Sequence, residues 1–321
     1  MSGFATYETN SQVLIRSELW SSDLKEVLYD ELQATKYVDW MDQFPDGDTF
    51  TIPSIGQANV RDYVEDTAVV YDAMDTGEFQ FSITEYLSSA TYITKKQRQD
   101  SFYANKLEAS FVPAQRRAIM EHVESTVFGL QGQQTSADAN TINSADHRFI
   151  ATTELTANVK YSIAVADFAK ALYALKKANV PQTNLIAIVD PSVEYTINTL
   201  TNITNISNNP MWEGIVTTGM ATGMRFLKNI FGFDVYTSNY LTQGFSETIG
   251  GVTCTNSVAN MFFSAAPDVL PFIGAWRQQP EVDGEYNKDK QREEYVTTAR
   301  YGVKLYRPEN LVVCLSSTNV V

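Results

Sequence analysis

At 321 residues the chain is long enough to bury a sizeable core and to hold two domains of ordinary size. Its 44% hydrophobic and 19% charged residues exclude wholesale disorder, and 17 Tyr with 17 Phe supply large surfaces for cores or subunit interfaces. A formal charge of -14 excludes a surface that grips nucleic-acid phosphates, which needs clustered Lys and Arg, so any relation to DNA is containment.

The opening MSGFATYETN has no basic segment followed by an apolar stretch, and no later run approaches the roughly 18 apolar residues of a membrane span, so the chain reads as soluble and unexported. A helix is expected after Ser21-Ser22-Asp23, with Leu24, Val27, Leu28 and Leu32 at helical spacing, and the rest of the segment to about residue 47 reads as an extended arm. Pro45-Asp46-Gly47-Asp48 is a turn, and residues 49–52 alternate polar and apolar like a strand. A second strand answers it, because Phe79, Phe81 and Ile83 alternate with Gln80, Ser82 and Thr84. Between the two lie Asp62, Glu65, Asp66, Asp72 and Asp75 against Arg61 alone, a stretch too charged for a compact core. A long two-stranded projection fits this pattern. Such ribbons are marginal alone in water, so a neighbouring subunit is the natural surface for it to pack on.

Two helices are expected next, at about 97–111 and 113–131, with Pro113 in the first turn of the second. Ile119, Val123, Val127 and Leu130 form an apolar stripe there, while Arg116, Arg117, Glu121 and Glu124 occupy other faces. On this reading Val123→Asp unfolds the protein and Glu124→Ala is mild. Gly129, Gly132 and the run QQTSADANTINSAD close the helix in a loop that marks a domain boundary.

From about 161 the pattern is mixed α/β. Ile163, Phe168, Leu172 and Leu175 mark a helix that stops at Lys176-Lys177-Ala178-Asn179 and Pro181. Leu185–Val189 is a short buried strand, and Asp190-Pro191-Ser192 turns into a helix near 193–200. The Asn-rich loop 201–210 holds two formal glycosylation sequons, at Asn202 and Asn205, that read as loop alone. In FLKNIFGFDVYTSNYL a helix is expected to end near Gly232, with a strand beginning at Val235 and Tyr236. Near the C-terminus Ala299, Tyr301, Val303 and Leu305 alternate with Arg300, Gly302, Lys304 and Tyr306, a half-buried strand. Arg307-Pro308-Glu309-Asn310 then turns into the fully buried run 311–315.

Residues that carry chemistry are sparse. His122 and His147 stand in no metal-ligand spacing, and Cys254 and Cys314 lack a CxxC or a nearby His, so no zinc site, disulfide framework or cofactor is expected. Gly244-Phe245-Ser246-Glu247 approaches a nucleophile elbow, but Thr248 replaces its second glycine. Gly214, Gly219 and Gly223 precede no Gly-Lys-Ser/Thr and serve turns or packing. Met211, Met220 and Met224 read as gap-fillers of a core rather than as an adaptable interface. The chain is not expected to be an enzyme.

Three segments, GDTFTIPSIG, NIFGFDVYTSNYL and AWRQQPEVDGEYNKDKQREEYVTTARYGVKLYRPENLVV, resemble in order and spacing the HK97-like major capsid proteins of tailed bacteriophages. The resemblance spans nearly the whole chain and implies an α+β fold: an N-terminal arm at 1–47, an E-loop hairpin at 48–96, and a peripheral domain with its spine helix at 97–160. A mixed α/β axial domain would follow at 161–275, and 276–321 would return to the peripheral strands. The implied function is an icosahedral shell of pentamers and hexamers enclosing double-stranded DNA, located in the virion and assembled in the bacterial host cytoplasm. Arg61, Asp62, Glu65, Asp66, Asp72 and Asp75 would then make intersubunit contacts. The short arm implies a separate scaffolding protein and the family a portal protein, while the presence of decoration proteins stays open. Some members of this family cross-link covalently through an E-loop lysine; this chain has none between Lys36 and Lys95, so its shell is expected to be noncovalent. An encapsulin-like compartment shell is the alternative on the same fold, and an α/β enzyme without a recognisable motif is the alternative from another class.

Overall fold

The computed structural model describes residues 32–41, 49–55, 60–62, 64–66, 68, 71, 76–100, 104–134, 141–156, 159–199 and 226–318. The helix expected around Leu24, Val27 and Leu28, the loop 201–210, the three methionines Met211, Met220 and Met224, and Gly214, Gly219 and Gly223 lie outside the described residues.

The described chain begins with a 3-10 turn at Ala34–Tyr37 and strand β1 at Val38–Met41. Strands β2 (Thr49–Ile55) and β3 (Thr76–Ser82) pair antiparallel, with Ile52 opposite Phe79, as their two-residue alternation requires. Strand β4 (Glu85–Thr94) leads into helices α1 (Lys95–Asp100) and α2 (Ala104–Gly129). Pro113 corrects the sequence reading: it sits inside α2 rather than in its first turn. An interior proline removes one helical hydrogen bond and costs about 3 kcal/mol. The helix runs through it because the stripe beyond, Ile119, Val123, Val127 and Leu130, is buried as expected and anchors that half.

A set of short strands follows: β5 (Thr141–Ile142), β6 (Ala145–Asp146), β7 (Arg148–Ile150), β8 (Thr153–Thr156) and β9 (Lys160–Ser162). Helix α3 (Val165–Lys177), strand β10 (Leu185–Val189) and helix α4 (Pro191–Thr199) lie where periodicity placed them. The next segment departs from expectation. Phe226–Ile230 is strand β11, not a helix end, and forms a hairpin with β12 (Phe233–Thr237). Phe231 and Gly232 take positive φ at the turn, where Asn229 Oδ1 accepts the Gly232 N–H at 3.2 Å. An apolar run this short fits helix and strand equally, and the turn decides it. The chain then continues through β13 (Gln243–Ile249), β14 (Val252–Ser264), β15 (Phe272–Asn287), β16 (Arg292–Leu305) and β17 (Val312–Ser317).

Two sheets organise these strands. The seven-stranded sheet has the order β11-β12-β10-β14-β17-β7, with β13 paired to β14. Strands β7 and β17 belong to it although they come from the segments 97–160 and 276–321, because β17 pairs with both β14 and β7. Successive residues of β14 and β17 enter opposite cores. Phe262, Val312 and Cys314 pack with Phe168, Ala171 and Leu175 of α3, whereas Met261, Phe263, Val313 and Leu315 pack with Val123, Val127 and Phe128 of α2. A strand covered on both faces reads as a continuous apolar run, which explains 311–315. The second sheet is four-stranded, order β1-β15-β16-β4, with β1 parallel to β15 and the rest antiparallel.

Candidate assembly surfaces

Among the described residues, the β2–β3 hairpin is held at its base. There Phe81 and Ile83 are buried against Ile273 and Ala275, and Phe79 meets Tyr306 edge-on at 5.0 Å. Lys304 Nζ donates to Gln80 O at 2.9 Å and lies over the Phe79 ring. Gly302 makes the junction possible, since a Cβ there would stand 2.7 Å from Ser82 O and 2.9 Å from Ile83 Cα. Away from the base the described residues of the connection are exposed. Arg61, Asp62, Glu65 and Asp66 are exposed, as are Val60 at 96% and Tyr71 at 92%. Asp72 and Asp75 lie outside the described residues. The acidic residues that are described therefore occupy the connection between the strands, with solvent around them.

Strand β4 forms the edge of the four-stranded sheet, and its burial alternates residue by residue. Tyr86 and Tyr92 stand out on the exposed side, Tyr92 beneath the Arg292 guanidinium at 4.3 Å. Where β4 passes into α1, Ile93, Lys95, Arg98, Gln99, Tyr286 and Glu293 line an open groove of about 410 Å³. Arg98 and Glu293 pair across it, both partly exposed, so the pair is worth only about 0–1 kcal/mol.

The spine helix α2 holds the largest departure from the sequence reading. Glu124 is not on a solvated face but fully buried, and its carboxylate accepts the backbone N–H groups of Gln33 at 2.7 Å and Ala34 at 2.8 Å. Burial raises its pKa to about 7, against the opposing pull of those two N–H groups and of Lys36. Substitution by Ala would leave two buried donors without partners at about 1–3 kcal/mol each, so Glu124→Ala is not mild. The other charged residues of that reading do face outward: Arg116 is exposed, and the half-buried Arg117 and Glu121 pair at 3.1 Å. The signal that could have found Glu124 is long-range, since its donors lie some 90 residues earlier in the chain.

The histidines, the cysteines and the Gly244–Ser246 segment sit in structural settings. His122 is exposed, with its Nδ1 3.1 Å from the Tyr301 hydroxyl. His147 is buried and its pKa is pushed down by desolvation. Cys254 and Cys314 are free thiols buried in the core around α3, where desolvation pushes both up. Gly244 and Ser246 lie in strand β13, which continues into a hairpin with β14 rather than into a helix. Arg148, nearly buried, binds Glu247 at 2.5 Å and Gln131 Oε1 at 2.7 Å, tying β7, β13 and the end of the spine together. Among the described residues no group of three His, Cys, Asp or Glu side chains could hold a metal ion, and no helix is long and apolar enough to cross a membrane.

A family model described as phage capsid protein matches residues 76–314. A search of curated proteins finds no match. Among solved structures, one from Mycobacterium phage Che8 is similar over 92% of this chain and 96% of that chain, with 17% identity and a TM-score of 0.68. The capsid of cyanophage P-SCSP1u is similar over 95% and 94%, with 12% identity and a TM-score of 0.69. The mature capsid of bacteriophage PhiM1 is similar over 95% and 92%, with 9% identity and a TM-score of 0.67. These likenesses show a common HK97-like fold, and the matches favour neither a cargo compartment nor an α/β enzyme.

Proposed function

The chain belongs to the phage capsid protein family, and from that premise we propose how its surfaces build the shell. It is an HK97-like major capsid protein, a subunit that self-assembles into the shell around a phage genome. In the arrangement proposed, residues 1–47 are the arm, 48–96 the E-loop, 97–160 the peripheral domain with its spine, 161–275 the axial domain and 276–321 the return to the peripheral sheet. Strands β7 and β17 are lent to the axial sheet. Pentamers and hexamers close around the axial domains, and each E-loop lies on a neighbouring subunit. A scaffolding protein and a portal protein are the further partners that the family resemblance implies. Assembly takes place in the bacterial host cytoplasm, the DNA is enclosed without sequence-specific grip, and binding energy does the work that catalysis does in an enzyme.

The observation that carries this reading is the β2–β3 hairpin, anchored at Phe81 and Ile83, while the described residues of its far connection, among them Asp62, Glu65 and Asp66, are exposed. Such a ribbon is stable only when something covers it. Its acidic connection, Asp62, Glu65 and Asp66, would meet Lys or Arg of the next subunit. Each exposed pair gives about 0–1 kcal/mol, and repetition around the shell makes the sum count. Reversing all three to Lys is expected to slow or block shell formation followed by light scattering, with the circular dichroism of the subunit unchanged. Assembly at the native rate would overturn the contact. Mature particles boiled in detergent and reductant are expected to run as one band at 35.9 kDa; a ladder of covalent oligomers would show cross-linking.

A further inference from the structure

Residues 32–41 form a strap that ties the spine to the four-stranded sheet. Ala34, Tyr37 and Val38 are buried beside Val123 and Val127 of α2, while β1 pairs with Phe272, Ile273, Gly274 and Ala275 of β15. Trp40 stacks on Trp276 at 5.0 Å. The start of the strap's 3-10 turn has no side-chain cap of its own, and the two orphan N–H groups there are satisfied by Glu124 alone among the described residues.

We propose that Glu124 is a proton-operated latch that fastens the strap of residues 32–41 to the spine helix. When the strap is docked, it seals Glu124 from water, and the cost of burying a carboxylate exceeds what two N–H groups return. When the strap lifts, the carboxyl meets solvent and goes back toward its ordinary 4.5. The docked state therefore takes up a proton between about 4.5 and 7. Acid tightens the strap; its hold is fullest below about 4.5 and is lost as pH rises through about 7. A carboxylic acid needs an acceptor for its own proton, and Gln33 Oε1, on the residue whose N–H the carboxyl binds, is buried with no hydrogen-bond partner among the described residues. Lys36 is the charged group that acts on Glu124 from the strap, and it favours the carboxylate. On the helix itself Glu121 is paired with Arg117, both near Tyr240, and His122 is turned to Tyr301 of β16 and to Thr126.

Hydrogen exchange of the full-length chain at pH 5 and pH 8, corrected for the intrinsic pH dependence of amide exchange, tests the latch independently of shell assembly. Opening at residues 33–41 is expected to be about ten- to a hundredfold rarer at pH 5, with β10 as the unaffected reference. Glu124→Gln, which mimics the protonated group, is expected to keep the strap protected and abolish the pH dependence. Glu124→Ala is expected to expose it at both values. A wild-type strap with equal protection at both pH values would overturn the proposal, and that profile decides it even if the variants do not fold. Unchanged pH dependence in Glu124→Gln, or a strap still protected in Glu124→Ala, would overturn it equally.

Discussion

Strands β17 and β4 show how differently the two sheets of this subunit are finished. Every residue of β17 is buried, because α3 covers one face of its sheet and the spine covers the other. Strand β4 alternates, and among the described residues it leaves one edge and an outward face bearing Tyr86 and Tyr92 uncovered. The first sheet completes its core within one chain. The second, with the hairpin that leans on it, offers backbone donors, acceptors and ring faces that no described residue covers. The difference separates what makes the subunit fold from what makes it assemble.

Phe262→Ala probes the self-sufficient side most severely. Phe262 is fully buried, with Phe168 at 5.2 Å and Phe233 at 5.4 Å edge-on, so its removal is expected to cost about 3–5 kcal/mol in denaturant unfolding of the unassembled subunit. A loss below about 1 kcal/mol would mean this core is looser than its geometry implies. Gly302→Ala strikes the junction between hairpin and sheet, where the added methyl meets backbone atoms. About 1–3 kcal/mol is expected, with exchange protection lost first in β3, and a hairpin that stays protected would break the assignment of its base.

Acid sharpens the contrast locally. His147 is buried and its pKa is pushed below 6.5, so the folded state resists protonation and stability near β7 falls as pH drops beneath 6.5, whereas the Glu124 strap tightens over the same range. His147→Gln is expected to remove the loss around β7 in hydrogen exchange, and a pH profile there that does not respond would place the cause elsewhere. The smallest effect on folding is expected from Tyr86→Ser with Tyr92→Ser, within about 0.5 kcal/mol in unfolding, combined with fewer or slower shells by light scattering. Slower assembly without lost stability is the signature of a surface reserved for neighbours.

Most elements were legible in the sequence where a period was strong. The spine stripe, Leu185–Val189, the alternation before Ile83 and the apolar run 311–315 are local patterns whose burial follows from spacing. Besides Pro113, which lies inside α2, three features were not legible, each because a distant partner decides it. Glu124 looks solvated until Gln33 and Ala34 arrive; FLKNI becomes a strand only because FDVYT folds back on it; Gly302 is required by Ser82. For the assembly surface, the acidic residues of the hairpin were visible as a charge run, while the Tyr86 and Tyr92 face depended on knowing which side of β4 the sheet leaves open.

The strand order β1-β15-β16-β4 also sets a timetable for synthesis. Its two outer strands are complete by Thr94, but the two that must lie between them end at Leu305. On a ribosome making about 5–20 residues per second, the early strands wait many seconds without the partners they flank. Helix α3 and β10 can meet locally in that interval, since they are near in sequence, whereas the sheet that carries the outward tyrosines waits for β16 across about 200 residues, and β17 completes the other sheet only afterwards. A nascent chain therefore cannot present a finished binding face to its neighbours until almost all of it has emerged.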